Sequence, residues 1–415
     1  MVNHVHVLTA MPATPMVDIL ETDQFESTIR LFSKEQLDLW SKQPVTLADH
    51  AVRYTPGEQS SHEAECDELL DALSTEGRLR SLRSLSRGID RHVRARFLLM
   101  RILLSSSSPA VDQFLGDLEE VAAAFVDRAR EFDPNIHRGE IRQALRNLWV
   151  FNSIQRFQGI KPCLTPSAFA YSLLYPYTDN RIDDECGSAD EQKAFLCWLN
   201  RRLQGLDPGP DSPLHVARLL DMIESEYPRH SFVHVHESLL GIHRAQQKNL
   251  SLRARSSAVT SNDLMISTME KGGTSVLVDG YLVHGELNEE STKAIYAYGV
   301  LLQLIDDLED LREDLEAQCP TPFSLAMHGG PMDSTIDRMV DLSARVFASM
   351  ASVMTGCTGE EWQMFERTCR LSILAAVACQ EDIVSKEYFN LVKSCLPVGV
   401  QYLKRARNSI SNMPY

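Results

Sequence analysis

Two acidic stretches of the sequence carry the residue types and spacings best suited to chemistry. In the first, Asp179 and Asp183 are four residues apart, so they share one face of any helix that contains them. Tyr175 and Tyr171 precede them on the same face at the same interval. The stretch therefore predicts an aromatic wall that leads to a pair of carboxylates.

The second acidic stretch repeats its carboxylates more regularly. Asp306, Asp310 and Asp314 stand at positions i, i+4 and i+8, with Leu302 and Tyr298 upstream on the same face. Like charges at this spacing destabilise a helix by some tenths of a kcal/mol per pair. Three in a row need compensation, and a bound divalent cation would supply it.

Magnesium is the cation that best matches these two stretches. It takes oxygen ligands in octahedral geometry and commonly links carboxylates to the phosphates of a substrate. The alternative for any single acidic run is a charged face in contact with water. Because both runs continue into apolar or aromatic residues on the same face, the pair favours a metal site.

A glycine pair lies between the two acidic stretches. Gly272 and Gly273 interrupt an otherwise helical pattern, where each costs about 1 kcal/mol relative to alanine. The pattern predicts a broken helix that exposes backbone groups to a cavity, with Lys271 beside the break to bind a phosphate. A plain turn between two helices is the alternative.

The elements that must position these residues are helices. Thr165 and Pro166 look like an N-cap and a first helical position, so a helix is predicted from Ala168 to Glu185, with a kink at Pro176. The second acidic stretch falls in one predicted helix that runs from Glu289 to Glu316.

Helical periodicity dominates from about residue 64 onward, and no alternating strand pattern stands out. The predicted fold class is all-α, a bundle of roughly ten or more helices given their usual length. Residues 1–63 are predicted to be an extension with short helices, and residues 64–415 to be one α-domain.

Charge and composition exclude several classes of protein. The chain has 415 residues and a formal net charge of −16, which disfavours nucleic acid and anionic membranes as partners. No signal peptide or membrane span is predicted, so the expected location is cytoplasmic. The nine cysteines are irregularly spaced, which argues against a zinc site or a disulfide framework. The histidines around His236 are interpreted as structural, because nothing completes a tetrahedral set.

Together the two acidic stretches resemble the metal-binding motifs of class I terpene synthases. The sequence Asp179-Asn-Arg-Ile-Asp183-Asp184 resembles the first motif of that family, DDxxD, with Asn180 at its second aspartate. The stretch from Asp306 to Asp314 resembles both forms of the second motif, DDxxD and (N/D)Dxx(S/T)xxxE. The motifs are similar to those of the fungal humulene synthases of tropolone-sesquiterpenoid biosynthesis and of related bacterial class I enzymes with a YTDN-type first motif.

The resemblance implies a helical bundle around a central apolar cavity, a prenyl diphosphate substrate and three Mg²⁺ ions, with Mn²⁺ as a substitute. A homodimer is common in this fold. The implied metal ligands are Asp179, Asp183, Asp184, Asp306, Asp310 and Asp314, of which Asp179, Asp183 and Asp306, with Lys271, form the catalytic set. The implied diphosphate-binding residues are Lys271, Arg253, Arg255, Lys404 and Arg405. The implied cavity residues are Tyr171, Tyr175, Tyr298, Leu302, Trp149 and Phe151.

Within the family, the sequence favours a cyclase. Chain-elongating enzymes resemble one another in a Gly-Gly-Lys-x-x-Arg stretch near the start and an Arg-Arg pair that follows the first motif. This chain has no such stretch, and its first motif is followed by the acidic sequence Glu-Cys-Gly-Ser-Ala-Asp-Glu. A single α-bundle with bulky tyrosines near the carboxylates favours farnesyl diphosphate, so the predicted activity is cyclisation of this substrate to a hydrocarbon such as humulene. Chain elongation is the enzymatic alternative, and an acidic helical scaffold is the non-enzymatic one.

Overall fold

The computed structural model describes residues 22–50, 52–81, 108–182, 189–209, 213–253 and 260–412. Within these ranges the chain forms seventeen α-helices and one 3-10 helix, and it forms no strand. The predicted all-α class is therefore confirmed.

The first nine helices lie between Thr22 and Arg253. They are α1 (Thr22–Ser41), α2 (Leu47–His50), α3 (Pro56–Ser81), α4 (Pro109–Phe132), α5 (Arg138–Phe157), α6 (Pro166–Ile182), α7 (Ala189–Leu203), α8 (Leu214–Glu226) and α9 (Val233–Arg253).

The remaining helices follow residue 260. They are α10 (Ser261–His284), α11 (Glu289–Glu309), α12 (Leu311–Glu316), α13 (Pro322–Met327), α14 (Asp333–Val353), α15 (Gly359–Cys379), the 3-10 helix (Glu381–Ile383), α16 (Lys386–Cys395) and α17 (Val400–Asn412).

Helix α10 is the centre of the bundle. It packs most extensively against α11 and α9, and also against α1, α5 and α6. Most of its residues are buried, and they lie on all sides of the helix, which is typical of a helix surrounded by protein. It begins with a capping box between Thr260 and Asp263, and it ends at Gly285, whose φ of 82° suits a residue without a Cβ atom.

The glycine pair lies inside α10, and the helix is continuous there, so the predicted break at this point is wrong. A Cβ atom on Gly272 would lie 2.7 Å from the carbonyl oxygen of Gly299, and one on Gly273 would lie 2.4 Å from the Tyr296 ring. These glycines therefore allow the backbones of α10 and α11 to meet closely. The packing gained at this contact offsets their low helix propensity.

The second acidic stretch does not lie on one continuous helix, contrary to the prediction for residues 289–316. Helix α11 ends at Glu309, and Asp310 forms the junction with α12 at φ −91° and ψ 2°. The Asp310 amide still donates to the Asp306 carbonyl at 3.0 Å, and the Asp314 amide donates to the Asp310 carbonyl at 3.0 Å. The one-turn spacing of the three residues therefore survives the junction.

The start of α6 agrees with the sequence prediction. The Ala168 amide donates to Thr165 Oγ1 at 3.0 Å, and Pro166 is the first helical residue. The described part of the helix ends at Ile182, so the predicted end at Glu185 lies outside the described residues. The kink at Pro176, which is inside the helix, stays a prediction.

The segment before residue 64 contributes to the bundle. Helix α1 packs against α9, α10 and α11, and Ser33 Oγ is 2.6 Å from the Tyr296 hydroxyl. Helix α3 spans residues 63 and 64, at which the sequence analysis divides the chain, and that division stays a prediction. No helix in the described ranges is long and apolar enough to cross a membrane.

The close contact between α10 and α11 gives a stability prediction. We expect Gly272→Ala to lower the free energy of unfolding by about 1–3 kcal/mol, because the new methyl group overlaps the Gly299 carbonyl and Gln303. Urea denaturation of purified protein measures the change.

Gly116→Ala is the matched control, since Gly116 also lies within a helix, α4, but a Cβ atom added to it would have no other atom within 4 Å. It should raise stability by up to about 1 kcal/mol through helix propensity. Equal effects of the two substitutions would contradict the packing role assigned to Gly272.

Candidate active site

The two helices that carry the acidic stretches both run antiparallel to α10. On α6, the Tyr171 hydroxyl donates to the Ser275 carbonyl at 3.0 Å, and Ser167 Oγ lies 3.5 Å from the Leu282 carbonyl oxygen. Residue numbers thus rise along α6 as they fall along α10. Asp179, two turns beyond Tyr171, is then level with residues near 268 of α10.

The contact between α10 and α11 places Asp306 at the same level along the α10 axis as Asp179. A Cβ atom on Gly272 would meet Gln303, and Asp306 follows Gln303 by three residues. Asp306 is therefore also level with residues near 268 of α10. The backbones of Asp179 and Asp306 thus lie at one end of the bundle, on either side of α10. The side chain of Asp179, and Asp183 and Asp184 entirely, lie outside the described residues.

An arginine that the sequence analysis missed reaches the second acidic stretch. Arg146 Nη2, from α5, donates to Asp306 Oδ1. The Arg146 side chain is 59% exposed, so the burial that opposes its charge is only partial, and the nearby carboxylates, first Asp306 and then Glu309 and Asp310, raise the pKa of Arg146. Because α5 is far from α11 in the sequence, no spacing rule could have paired these residues.

Negative charge is still concentrated around Asp310. Burial, followed by repulsion from Asp306 and Glu313, raises the pKa of Asp310 to about 6, although Arg146 acts in the opposite direction. A further positive charge nearby would stabilise the ionised form of such a carboxylate. The oxygen donors of Asp306, Asp310 and Asp314 fit a hard divalent cation such as Mg²⁺.

The described residues alone do not complete a metal site. Among them, no group of three or more His, Cys, Asp or Glu side chains is arranged to hold a metal ion. The first acidic stretch would have to supply the remaining ligands, and its carboxylates lie outside the described side chains. The metal assignment therefore stays a prediction.

Lys271 is half-buried on α10, close to the level of the acidic stretches. It lies one turn before Ser275, so both share the face of α10 that contacts α6 at Tyr171. The neighbouring Glu270 points to another side of the helix, where Lys248 of α9 pairs with it. Along the axis of α10, Lys271 thus lies between Ser275, which contacts Tyr171, and the residues near 268 that are level with Asp306.

The structure does not bring the other predicted diphosphate-binding residues to the acidic stretches within the part of the chain that it describes. The side chain of Arg253 and all of Arg255 lie outside the described residues. Lys404 and Arg405 lie on α17, which contacts α15 and, through a 2.8 Å hydrogen bond from Tyr402 to Asp67, α3. Their predicted role at a diphosphate stays untested.

The predicted cavity residues lie inside the bundle. Tyr171, Tyr298 and Phe151 are buried, and Tyr175, Leu302 and Trp149 are partly buried. Tyr298 packs edge-on against Phe157, with ring centroids 5.5 Å apart. A groove of about 540 Å³ lies elsewhere, between α1, α9, α10 and α11, and none of the predicted cavity residues lines it.

A buried polar cluster lies further inside, and the sequence analysis did not identify it. Asn147 Nδ2, from α5, donates to Asp279 Oδ1 at 3.2 Å and to Ser172 Oγ at 3.4 Å. Asp279 is fully buried, and burial raises its pKa well above the usual value. Its only sequence signal is one carboxylate in an otherwise apolar part of α10.

Comparison with known proteins assigns no family. No family model and no curated protein matches the chain. It is similar to the crystal structure of a geranylgeranyl pyrophosphate synthetase from Pyrococcus horikoshii Ot3, with a TM-score of 0.36 and 16% sequence identity. The similarity covers 73% of this chain and 99% of that chain. A likeness of this degree carries no argument about the function of this protein.

The contact between Arg146 and Asp306 gives a prediction about metal binding. We expect Arg146→Gln to change the affinity of the protein for Mg²⁺ by roughly 3-fold or more, because it removes the cation nearest to Asp306. Loss of a competing positive charge should tighten binding, and isothermal titration calorimetry measures it.

Two variants control this measurement. Arg146→Lys keeps the charge and should bind Mg²⁺ like the unmodified protein. Arg142→Gln removes a charge from an exposed position one turn earlier on α5 and should also have no effect. An unchanged affinity in Arg146→Gln would mean that no metal binds beside Asp306.

Proposed function

We propose that this protein is a class I terpene synthase that ionises farnesyl diphosphate with the help of Mg²⁺ and cyclises the resulting cation to a hydrocarbon. The observation that carries the proposal is that the backbones of Asp179 and Asp306 lie at the same level along the axis of α10, on either side of it. Two helices that carry carboxylates at the same level along α10 can share metal ions, which neither acidic stretch could bind as firmly alone. The resemblance to humulene synthases rests on the motifs and suggests the class of product.

The residues divide into three functions in this proposal. Asp179, Asp183, Asp184, Asp306, Asp310 and Asp314 would hold the metal ions. When bound, Mg²⁺ would neutralise the diphosphate and make it a better leaving group. Lys271 and Arg146 lie close to the acidic stretches and would donate charge-assisted hydrogen bonds to diphosphate oxygens.

The interior next to the carboxylates suits the reactive part of such a substrate. Tyr171, Tyr175 and Tyr298 present aromatic rings, and an aromatic face stabilises a cation by roughly 0.5–2 kcal/mol. Phe151 and Tyr298 are buried, so a prenyl chain among them would be shielded from water. Exclusion of water prevents early capture of the cation as an alcohol.

The first experiment incubates the purified protein with geranyl, farnesyl and geranylgeranyl diphosphate, with and without Mg²⁺, and analyses the organic extract by gas chromatography–mass spectrometry. A cyclic hydrocarbon that forms from farnesyl diphosphate only with Mg²⁺ is the expected result. Added isopentenyl diphosphate tests chain elongation, which would give a longer linear diphosphate. No product in any mixture would favour a non-enzymatic scaffold.

Substitution of the acidic residues is the second test. We expect Asp179→Ala, Asp183→Ala and Asp306→Ala each to lower kcat/KM for farnesyl diphosphate by at least about 100-fold, because metal-assisted ionisation provides several kcal/mol. Helical circular dichroism should be unchanged in all three. Glu290→Ala, an exposed position at the opposite end of α11, is the control and should retain full activity. Full activity in the three aspartate variants would contradict the site.

A further inference from the structure

The buried polar cluster of Asp279, Asn147 and Ser172 has a chemical form that can be deduced from its contacts. Asp279 Oδ1 accepts a hydrogen bond from Asn147, whereas Oδ2 has no hydrogen-bond partner in the described part of the chain. Asp279 is fully buried, and no salt bridge among the described residues involves it. An ionised carboxylate without a partner is costly in such a place, so the group holds a proton.

The position of the cluster relates it to the carboxylates at the end of the bundle. Asp279 lies about ten residues further along α10 than the level of Asp306, which is about 15 Å at 1.5 Å per residue. Its neighbours come from the same helices, because Asn147 is on α5 with Arg146 and Ser172 is on α6 with Tyr171. A prenyl chain with its diphosphate at the carboxylates would extend toward Asp279.

From this placement we propose that Asp279 is the acid that protonates a neutral cyclic olefin within the reaction, so that the final product forms through a second carbocation. This inference rests on the proposed terpene synthase activity. It assigns a catalytic role to a residue that neither acidic motif contains, and it makes Asn147 a positioning residue. The hydrogen bond from Asn147 holds Oδ1 and thereby leaves the Oδ2 hydroxyl directed to the substrate.

The proposed steps balance in atoms and electrons. The first cyclic cation loses a proton to the released diphosphate and becomes a neutral olefin. The Asp279 Oδ2–H bond then breaks as the π electrons of a C=C bond form a new C–H bond, which leaves a carboxylate and a second carbocation. A neighbouring carbon returns a proton to the carboxylate, and the electrons of that C–H bond form the final C=C bond.

Nearby aromatic groups are compatible with these steps. Tyr171 and Tyr298 are both buried near Asp279, and burial raises the pKa of each hydroxyl group well above its usual value. Both hydroxyl groups therefore stay neutral and do not compete as acids. Their rings would instead face the second carbocation, where an aromatic face is favourable.

The test is the reaction of the unmodified protein with farnesyl diphosphate and Mg²⁺ in D₂O, with mass spectrometry of the cyclic product. Asp279 exchanges its proton with solvent between turnovers, so we expect one deuterium on carbon. Asp279→Asn, which has the shape of the neutral acid, should release an unlabelled olefin with fewer rings or a different double bond. Asp341→Asn, another buried aspartate that pairs with Arg345 on α14, is the matched control and should label like the unmodified protein.

The outcomes separate this step from the activity on which it rests. An unlabelled cyclic product from the unmodified protein would overturn the role of Asp279 alone, as would full labelling in Asp279→Asn. No product from any prenyl diphosphate would overturn the proposed function and this step with it. Circular dichroism checks folding, and Asp279→Ala provides a second variant for the same comparison.

Discussion

The close approach of α10 and α11 is the constraint on which the rest of the structure depends. Gly272 and Gly299 bring the two backbones together, since a Cβ atom on Gly272 would lie 2.7 Å from the Gly299 carbonyl oxygen and one on Gly299 would lie 2.4 Å from the Gly272 carbonyl oxygen. A contact of this kind allows one register only, because a shift along the helix would place a side chain between the backbones. The height of Asp306 relative to α10 follows directly from this register.

The same central helix also fixes the other side of the interior. Tyr171 binds the Ser275 carbonyl, and Asn147 connects α5 to Asp279. The helices around the interior are therefore held by contacts to α10 at several heights. Charge is separated along this axis, with ionised carboxylates and Arg146 at one end and a neutral carboxylic acid deep inside.

The sequence predicted those features of the structure that depend on contacts between residues close together in the chain. It did not predict the features that depend on contacts between distant residues. The start of α6 was predicted because its cap is local, with Thr165, Pro166 and Ala168 close together in the chain. The glycine pair was misinterpreted as a break, because intrinsic propensity penalises glycine in a helix. The packing partner that outweighs this penalty, Gly299, lies in another helix and has no local signal.

The candidate site was predictable to the same extent. The i, i+4 spacing of the carboxylates could be read from the sequence, but the end of α11 at Glu309 could not, because the junction at Asp310 has no proline or glycine to mark it. Arg146 and Asn147 were missed, since both act on residues that are distant in the chain.

Helix α5 contacts two carboxyl groups of different ionisation through neighbouring residues. Arg146 and Asn147 are adjacent in the sequence, yet one reaches Asp306 and the other reaches Asp279. Successive residues on a helix point about 100° apart, and a long arginine side chain also extends along the helix axis. A single turn of α5 therefore contacts both the ionised and the neutral carboxyl groups. A substrate of the proposed reaction that lay between the two carboxyl groups would therefore contact this turn of α5.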